Sequence, residues 1–207
     1  MKLYEDGQLS LDDKLIKYVP QADNNGKDQI TIRNLLLHNA GLPADYPFNY
    51  VYANVTDQIL LDWFYTTPLE YAIGTDTIYS DLSMVALQLV IETITQESMW
   101  TYVEQEIFNP LGMHSTMFLP QEWQQCAPTL KAPGYPDWRE GYIRCSVHDP
   151  TAYILGGISG NAGIFSTSDD LATFMQMMLK KGLYTAEDGS TQRLFLEDTV
   201  VLFTSAP

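Results

Sequence analysis

Leu82, Val85, Ala86, Leu89, Val90 and Ile94 recur at the three-and-four spacing of an amphipathic helix. No other feature constrains the fold of this chain as strongly. Tyr79-Ser80-Asp81 stands at the entrance of that helix, with Ser80 or Asp81 as its cap. Other segments repeat the pattern. Thr31 caps a short helix that runs to His38 and stops at Asn39-Ala40-Gly41, with Pro43 beyond. Thr56-Asp57 caps a helix from Gln58 to Tyr65, and Ser98 starts another through Val103, Ile107 and Phe108. Ser168 is expected to cap a helix whose stripe is Leu171, Phe174, Met175, Met178 and Leu179, with Asp169 and Asp170 at its positive end. A last short helix spans Leu196 to Phe203. Alternating segments are too few for a full antiparallel sheet. The expectation is a mainly α chain, a helical lobe whose sheet lies elsewhere.

Composition bounds the class. Of 207 residues, 45% are apolar and 18% charged, a globular balance. Net charge is -15, from 26 acids against 11 bases, which disfavours nucleic acid and anionic membrane surfaces as partners. No apolar run approaches a membrane span, and the N-terminus has no signal-peptide core. Leu3-Tyr4-Glu5-Asp6-Gly7 reads as a helix end with a Gly stop, which suggests a chain truncated at its start.

Cys126 and Cys145 form no CxxC pair, and a single disulfide or two separate thiols both fit. His38, His114 and His148 lack metal-ligand spacing, so no metal or cofactor is expected. His38 reads as a cap of its helix carbonyls, and His148-Asp149 as a hydrogen-bonded loop anchor. Gly156 to Gly163 lacks the Gly-Lys-Ser/Thr of a phosphate loop and reads as a tight backbone turn. Gln121 to Arg144 reads as a long irregular stretch whose aromatics, Tyr135 and Trp138 among them, pack a loop or line a substrate site. Asn54-Val55-Thr56 matches a glycosylation sequon, a pattern common by chance.

Several segments, in order, resemble the serine β-lactamase and penicillin-binding-protein family in its class C, esterase-like branch. They are Gly7 to Asp13, Ile30 to Pro43, Tyr79-Ser80-Asp81-Leu82, Phe108 to Met113, and Ala162 to Thr167 with Asp170-Leu171. The stretch from Ala127 through His148-Asp149-Pro150 to Gly163 narrows the likeness to β-lactamase-related modules. The resemblance implies the helical lobe of the α+β β-lactamase/transpeptidase-like fold with most of the antiparallel sheet missing, so that 1–207 is one partial domain truncated at both ends. It also implies an extracytoplasmic setting and an acyl-serine mechanism acting on an ester, amide or cell-wall-related substrate.

In that mechanism a serine of Ser-x-x-Lys attacks, and Tyr79 maps onto the tyrosine that shares its proton with the lysine, with Ser80 and Asp81 beside it. The chain has no Ser-x-x-Lys, since Ser10 has Lys14 one place too far, and no Lys/His-Thr-Gly. A phenol titrating near ~10 in water is a poor base at neutral pH and needs a cation beside it. Asp81 stands where the family commonly has Asn, and a carboxylate only accepts hydrogen bonds. That favours an esterase-like substrate over β-lactam or peptide amides, or else a plain capping role. The expectation is a fragment inactive alone. The alternative is a non-catalytic module binding cell-wall fragments or a protein partner. Without a sheet, part of the Leu82 and Leu171 helix stripes is expected to be exposed and to drive self-association.

Overall fold

The computed structural model describes residues 1–47, 55–121, 126–129 and 142–205. The Asn54 sequon and the aromatic run around Trp138 lie outside them. The chain divides into two compact units, one of residues 11–99 and 118–164, the other of 1–10, 100–117 and 165–207.

The first unit is built on α2 (Ile32–Leu36), α3 (Asp57–Thr66) and α4 (Asp81–Thr95), with a short α6 (Pro150–Ile154). Each begins at a side-chain cap. Thr31 and Asn34 form a reciprocal capping box at α2, and Thr56 accepts from the Ile59 amide at α3. Ser80, not Asp81, caps α4 by accepting from the Ser83 amide. Asp81 is the first residue of the helix proper, so its expected capping role falls to its neighbour. Asp149-Pro150 opens α6, a cap followed by proline at the first helical position.

Leu15, Ile30, Ile32, Leu35, Leu60, Phe64, Leu82 and Val85 are buried at the centre of this unit. Each such side chain stabilises the fold by about 1.5–3 kcal/mol on transfer from water. Most of the α4 stripe is therefore covered, with Leu89 and Ile94 left partly open. Lys27 is also 0% exposed, although lysine is almost never fully buried unless its charge is paired. Its ammonium donates to Asn24 Oδ1 at 3.3 Å, to the Tyr65 carbonyl at 3.1 Å and to the Thr67 carbonyl. The two carbonyls are acceptors at the end of α3, which the helix itself leaves unsatisfied. Burial pushes the Lys27 amine down to about 8.

The second unit contains α1 (Lys2–Glu5), α5 (Met99–Val103) running into a π-helical turn at Glu104–Phe108, α7 (Ser168–Leu179) and α8 (Glu197–Thr204). The cap of α7 is Thr167, which accepts from the Asp170 amide, one residue before the expected Ser168. A hairpin of β3 (Leu183–Thr185) and β4 (Thr191–Arg193) pairs Tyr184 with Gln192. Two further two-residue strands, β1 (Met117–Phe118) and β2 (Ile164–Phe165), pair with each other. These two ladders are all the sheet among the described residues. The core of the unit is Phe108, Leu111, Met113, Met177, Tyr184, Phe195 and Val200.

Candidate functional site

The entrance to α4 is held by hydrogen bonds that leave one side chain free. Ser80 is buried, and its hydroxyl donates to the Pro43 carbonyl at 2.6 Å while accepting from the Ser83 amide at 3.3 Å. The Asp81 amide donates to the Ala44 carbonyl at 2.8 Å, and the Ile78 amide to the His38 carbonyl at 3.0 Å. With the backbone pinned on both sides of it, Tyr79 points outward and is 69% exposed.

His38 does not cap its helix. Helix α2 ends at Leu36, and His38 follows it with φ +53°. Its Nδ1 accepts from the Ser80 amide at 3.1 Å, and its ring lies against Tyr79 with centroids 4.8 Å apart and planes at 34°. Burial lowers the proton affinity of the imidazole below that of an ordinary histidine. The neighbouring Gly41 sits at φ +82°, and a Cβ there would stand 2.5 Å from the Tyr71 carbonyl. Only glycine lets the 67–74 segment lie this close, and from that segment the Tyr71 hydroxyl donates to the His38 carbonyl at 3.1 Å.

Asp81 is half-buried among acids. Its carboxyl is pushed up by burial, then by the charges of Asp149 and Asp45, and is held back by the Asn161 amide. The shift favours the neutral acid, which regains the hydrogen-bond donor that a carboxylate lacks. The surrounding polar groups are ordered. Asp149 Oδ1 accepts from the Ala152 amide at 2.7 Å and from Asn161 Nδ2 at 3.0 Å. Ser159 donates to Asn161 Oδ1 at 2.6 Å. Gly160 brings this turn onto α4, for a Cβ there would stand 2.2 Å from the Met84 carbonyl, and its amide donates to Gln88 Oε1 at 2.9 Å. The glycine-rich segment thus delivers Asn161 to the end of α4.

Asp45, Asp149 and Asn161 were not singled out as site residues from the sequence. The Asp-Pro step before α6 was the signal available for Asp149. For Asn161 there was no local signal, because its role depends on a turn folding back onto a distant helix.

The remaining candidates lie elsewhere. His148 Nδ1 is 3.4 Å from Thr129 Oγ1, in keeping with a loop anchor, and His114 Nε2 is 2.8 Å from Glu187 on an exposed surface. Cys126 and Cys145 are joined in a disulfide. Among the described residues, no group of three or more His, Cys, Asp or Glu is arranged to hold a metal ion, and no helix is long and apolar enough to cross a membrane.

Comparison with known proteins points the chain to one family. Residues 1–200 match the family model described as Beta-lactamase. A protein of Escherichia coli K12 named "Putative D-alanyl-D-alanine carboxypeptidase" is 37% identical over 99% of the chain and 51% of its own length. The chain thus spans about half the length of the curated relatives it matches. In fold it is similar to the octameric penicillin-binding protein homologue from Pyrococcus abyssi, at TM-score 0.69 and 22% identity over 97% of the chain and 44% of that structure. It is similar also to a β-lactamase/D-alanine carboxypeptidase from Yersinia pestis, at TM-score 0.68 and 23% identity over 99% and 53%. By family model and by sequence identity, the chain belongs to the β-lactamase family.

Proposed function

We propose that these residues form the tyrosine-bearing part of an acyl-serine hydrolase acting on D-alanyl-D-alanine-like peptides or related esters and amides. Tyr79 is the proton-handling group, Ser80 fixes its backbone, and Asp81 meets the substrate's polar groups. The observation that carries this reading is the pairing of a buried, doubly hydrogen-bonded Ser80 with an outward Tyr79. The substrate class rests on the name of the E. coli relative.

Within these 207 residues there is neither Ser-x-x-Lys nor Lys/His-Thr-Gly. Tyr79 therefore lacks the serine whose proton it would share and the lysine that would stabilise a phenolate. The 207-residue polypeptide by itself is accordingly inactive in this reading. Incubation with a p-nitrophenyl ester and with a fluorescent penicillin is expected to give no turnover and no covalent label. Robust hydrolysis by this chain would refute the assignment.

The positive test is a chimera in which these residues replace the matching half of the E. coli relative. It should hydrolyse a D-alanyl-D-alanine peptide or an ester, and Tyr79→Phe should lower kcat by about 10²–10⁴-fold, the usual worth of a general acid or base. The alternative reading is a binding module for cell-wall fragments. Saturable binding of a muropeptide by the 207-residue chain, together with an inactive chimera, would favour it.

A further inference from the structure

His38 occupies a backbone conformation that residues with a side chain rarely adopt, at φ +53°. Such a residue costs on the order of 1 kcal/mol and persists where its surroundings over-determine it. Here every polar group but one is committed. The His38 amide donates to the Leu35 carbonyl at 3.2 Å, and its carbonyl accepts from the Ile78 amide at 3.0 Å and the Tyr71 hydroxyl at 3.1 Å. Nδ1 accepts from the Ser80 amide at 3.1 Å. The ring face is spent on Tyr79. The flanking residues Tyr79 and Ser80 are thus both read by one imidazole.

The hydrogen bond fixes the tautomer. A backbone N–H only donates, so Nδ1 must be the bare nitrogen, and the ring proton sits on Nε2. A second proton would have to enter at Nδ1, in the place of the Ser80 N–H. It would turn an attractive contact into two donors facing each other and place a cation beneath the phenol.

We propose that His38 is the positioning residue of this site: its neutral imidazole, bare at Nδ1, seats the Ser80 amide and backs the Tyr79 ring, and acid releases both. Only the catalytic meaning of this rests on the function proposed above, because the device itself is a property of the folded chain. The titratable groups in contact with His38 are the phenol of Tyr79, against its ring, and the phenol of Tyr71, on its carbonyl. Asp81 follows Ser80 at the α4 entrance, and its amide donates to the carbonyl of Ala44, the residue before Asp45. Burial lowers the proton affinity of the ring, which acts in the same direction as the Ser80 hydrogen bond in favouring the bare Nδ1.

The test is NMR of the 207-residue chain with labelled histidine and tyrosine, Tyr79 being assigned through Tyr79→Phe. At pH 8 the His38 nitrogens are expected as unprotonated Nδ1 and protonated Nε2. On acidification the Tyr79 ring signals and the Ser80 amide should shift with the same midpoint as His38, below the ordinary histidine value of about 6.5. In His38→Gly, which keeps the backbone conformation, the Tyr79 step should vanish and Ser80 amide exchange should quicken at least ~10-fold, as expected when ~1.4 kcal/mol of protection is lost. His38→Asn tolerates the same backbone and restores an acceptor, so it should recover most of that protection. A protonated Nδ1 at pH 8, or Tyr79 signals indifferent to His38, would overturn the proposal, and the wild-type titration decides this even if a variant fails to fold. Failure here leaves the chimera experiment untouched, and an inactive chimera leaves this titration untouched.

Discussion

Helices α4 and α7 read alike in the sequence and end up in different situations. Both are entered through a hydroxyl cap, Ser80 and Thr167, and both carry an apolar repeat. In α4 most of that repeat is buried, with Leu82, Val85, Ala86 and Val90 all within 2% of full burial and Leu89 and Ile94 half-buried. In α7 the repeat divides. Phe174 and Met178 pack against the core of their unit beside Met177, a buried residue outside the expected stripe. Leu171, Met175 and Leu179, at i, i+4 and i+8, are 52%, 60% and 80% exposed. Periodicity therefore reports that a helix has an apolar face, and says nothing of what covers it. The site residues sit at the α4 entrance, where the backbone is anchored by groups on several segments. An exposed tyrosine can be presented there in one orientation because everything under it is fixed.

The strongest test of this contrast is truncation on the buried helix. Leu82→Ala should cost about 2–5 kcal/mol, read as a fall in the urea midpoint at constant slope. A cost below ~1 kcal/mol would mean that α4 is not packed as described. Next come the buried contacts of Lys27. Lys27→Met keeps the volume and leaves the Tyr65 and Thr67 carbonyls unpaired, so a loss of about 2–3 kcal/mol is expected in the same assay. The caps come third. Ser80→Ala removes a cap and a buried bond to the Pro43 carbonyl and should cost about 1–2 kcal/mol, whereas Thr167→Ala at the more open α7 should cost ~1 kcal/mol or less. Equal losses would erase the distinction between the two entrances.

The pH dependence sharpens the comparison further. The lowered proton affinity of His38 means that the unfolded chain binds its proton first as pH falls. Stability should therefore rise with pH between the lowered folded value and about 6.5, and His38→Asn should flatten that limb. Asp81 has the opposite shift, raised by burial and its acidic neighbours. Between about 3.8 and its raised value the folded state holds the proton that the unfolded chain has lost, so this group alone makes stability fall as pH rises there. Asp81→Asn should remove that cost and strengthen the fold near neutral pH.

Much of the helical scaffold was legible because caps and stripes are local. Thr31, Thr56 and Ser80 were readable as caps from residue type and the apolar run that follows. Thr167 was displaced by one because Thr167 and Ser168 are equally good caps, and only the backbone decides between them. The disulfide stayed open because pairing depends on two cysteines 19 positions apart meeting in space. The β3–β4 hairpin was missed because its strands are three residues long and β4 is exposed throughout, so it carries no apolar alternation. Lys27 carries no local signal of burial, because its burial is set by carbonyls at the far end of α3. Of the site, Tyr79-Ser80-Asp81 was legible as a motif, while His38, Asp45, Asp149 and Asn161 acquired their roles only through long-range packing. Gly41 and Gly160 were informative only once the approaching backbone was known.

The smallest expected change in stability belongs to the outer face of α7, where the consequence for association is larger. Leu171, Met175 and Leu179 contribute little to folding when they remain in water, so the triple change to Gln should move stability by no more than about 0.5 kcal/mol per site. The same three side chains form a continuous apolar strip on a protein of net charge -15. Long-range repulsion opposes association at low salt, and screening over about 8–10 Å at physiological salt relaxes it. Light scattering on the unmodified chain should therefore show apparent mass rising with concentration and with salt, and the triple variant should stay monomeric under both. A wild-type chain that stays monomeric at high salt would show that an exposed strip of this size is tolerated. A loss of more than ~2 kcal/mol in the triple variant would show instead that the face is covered, and the contrast between α4 and α7 would then disappear.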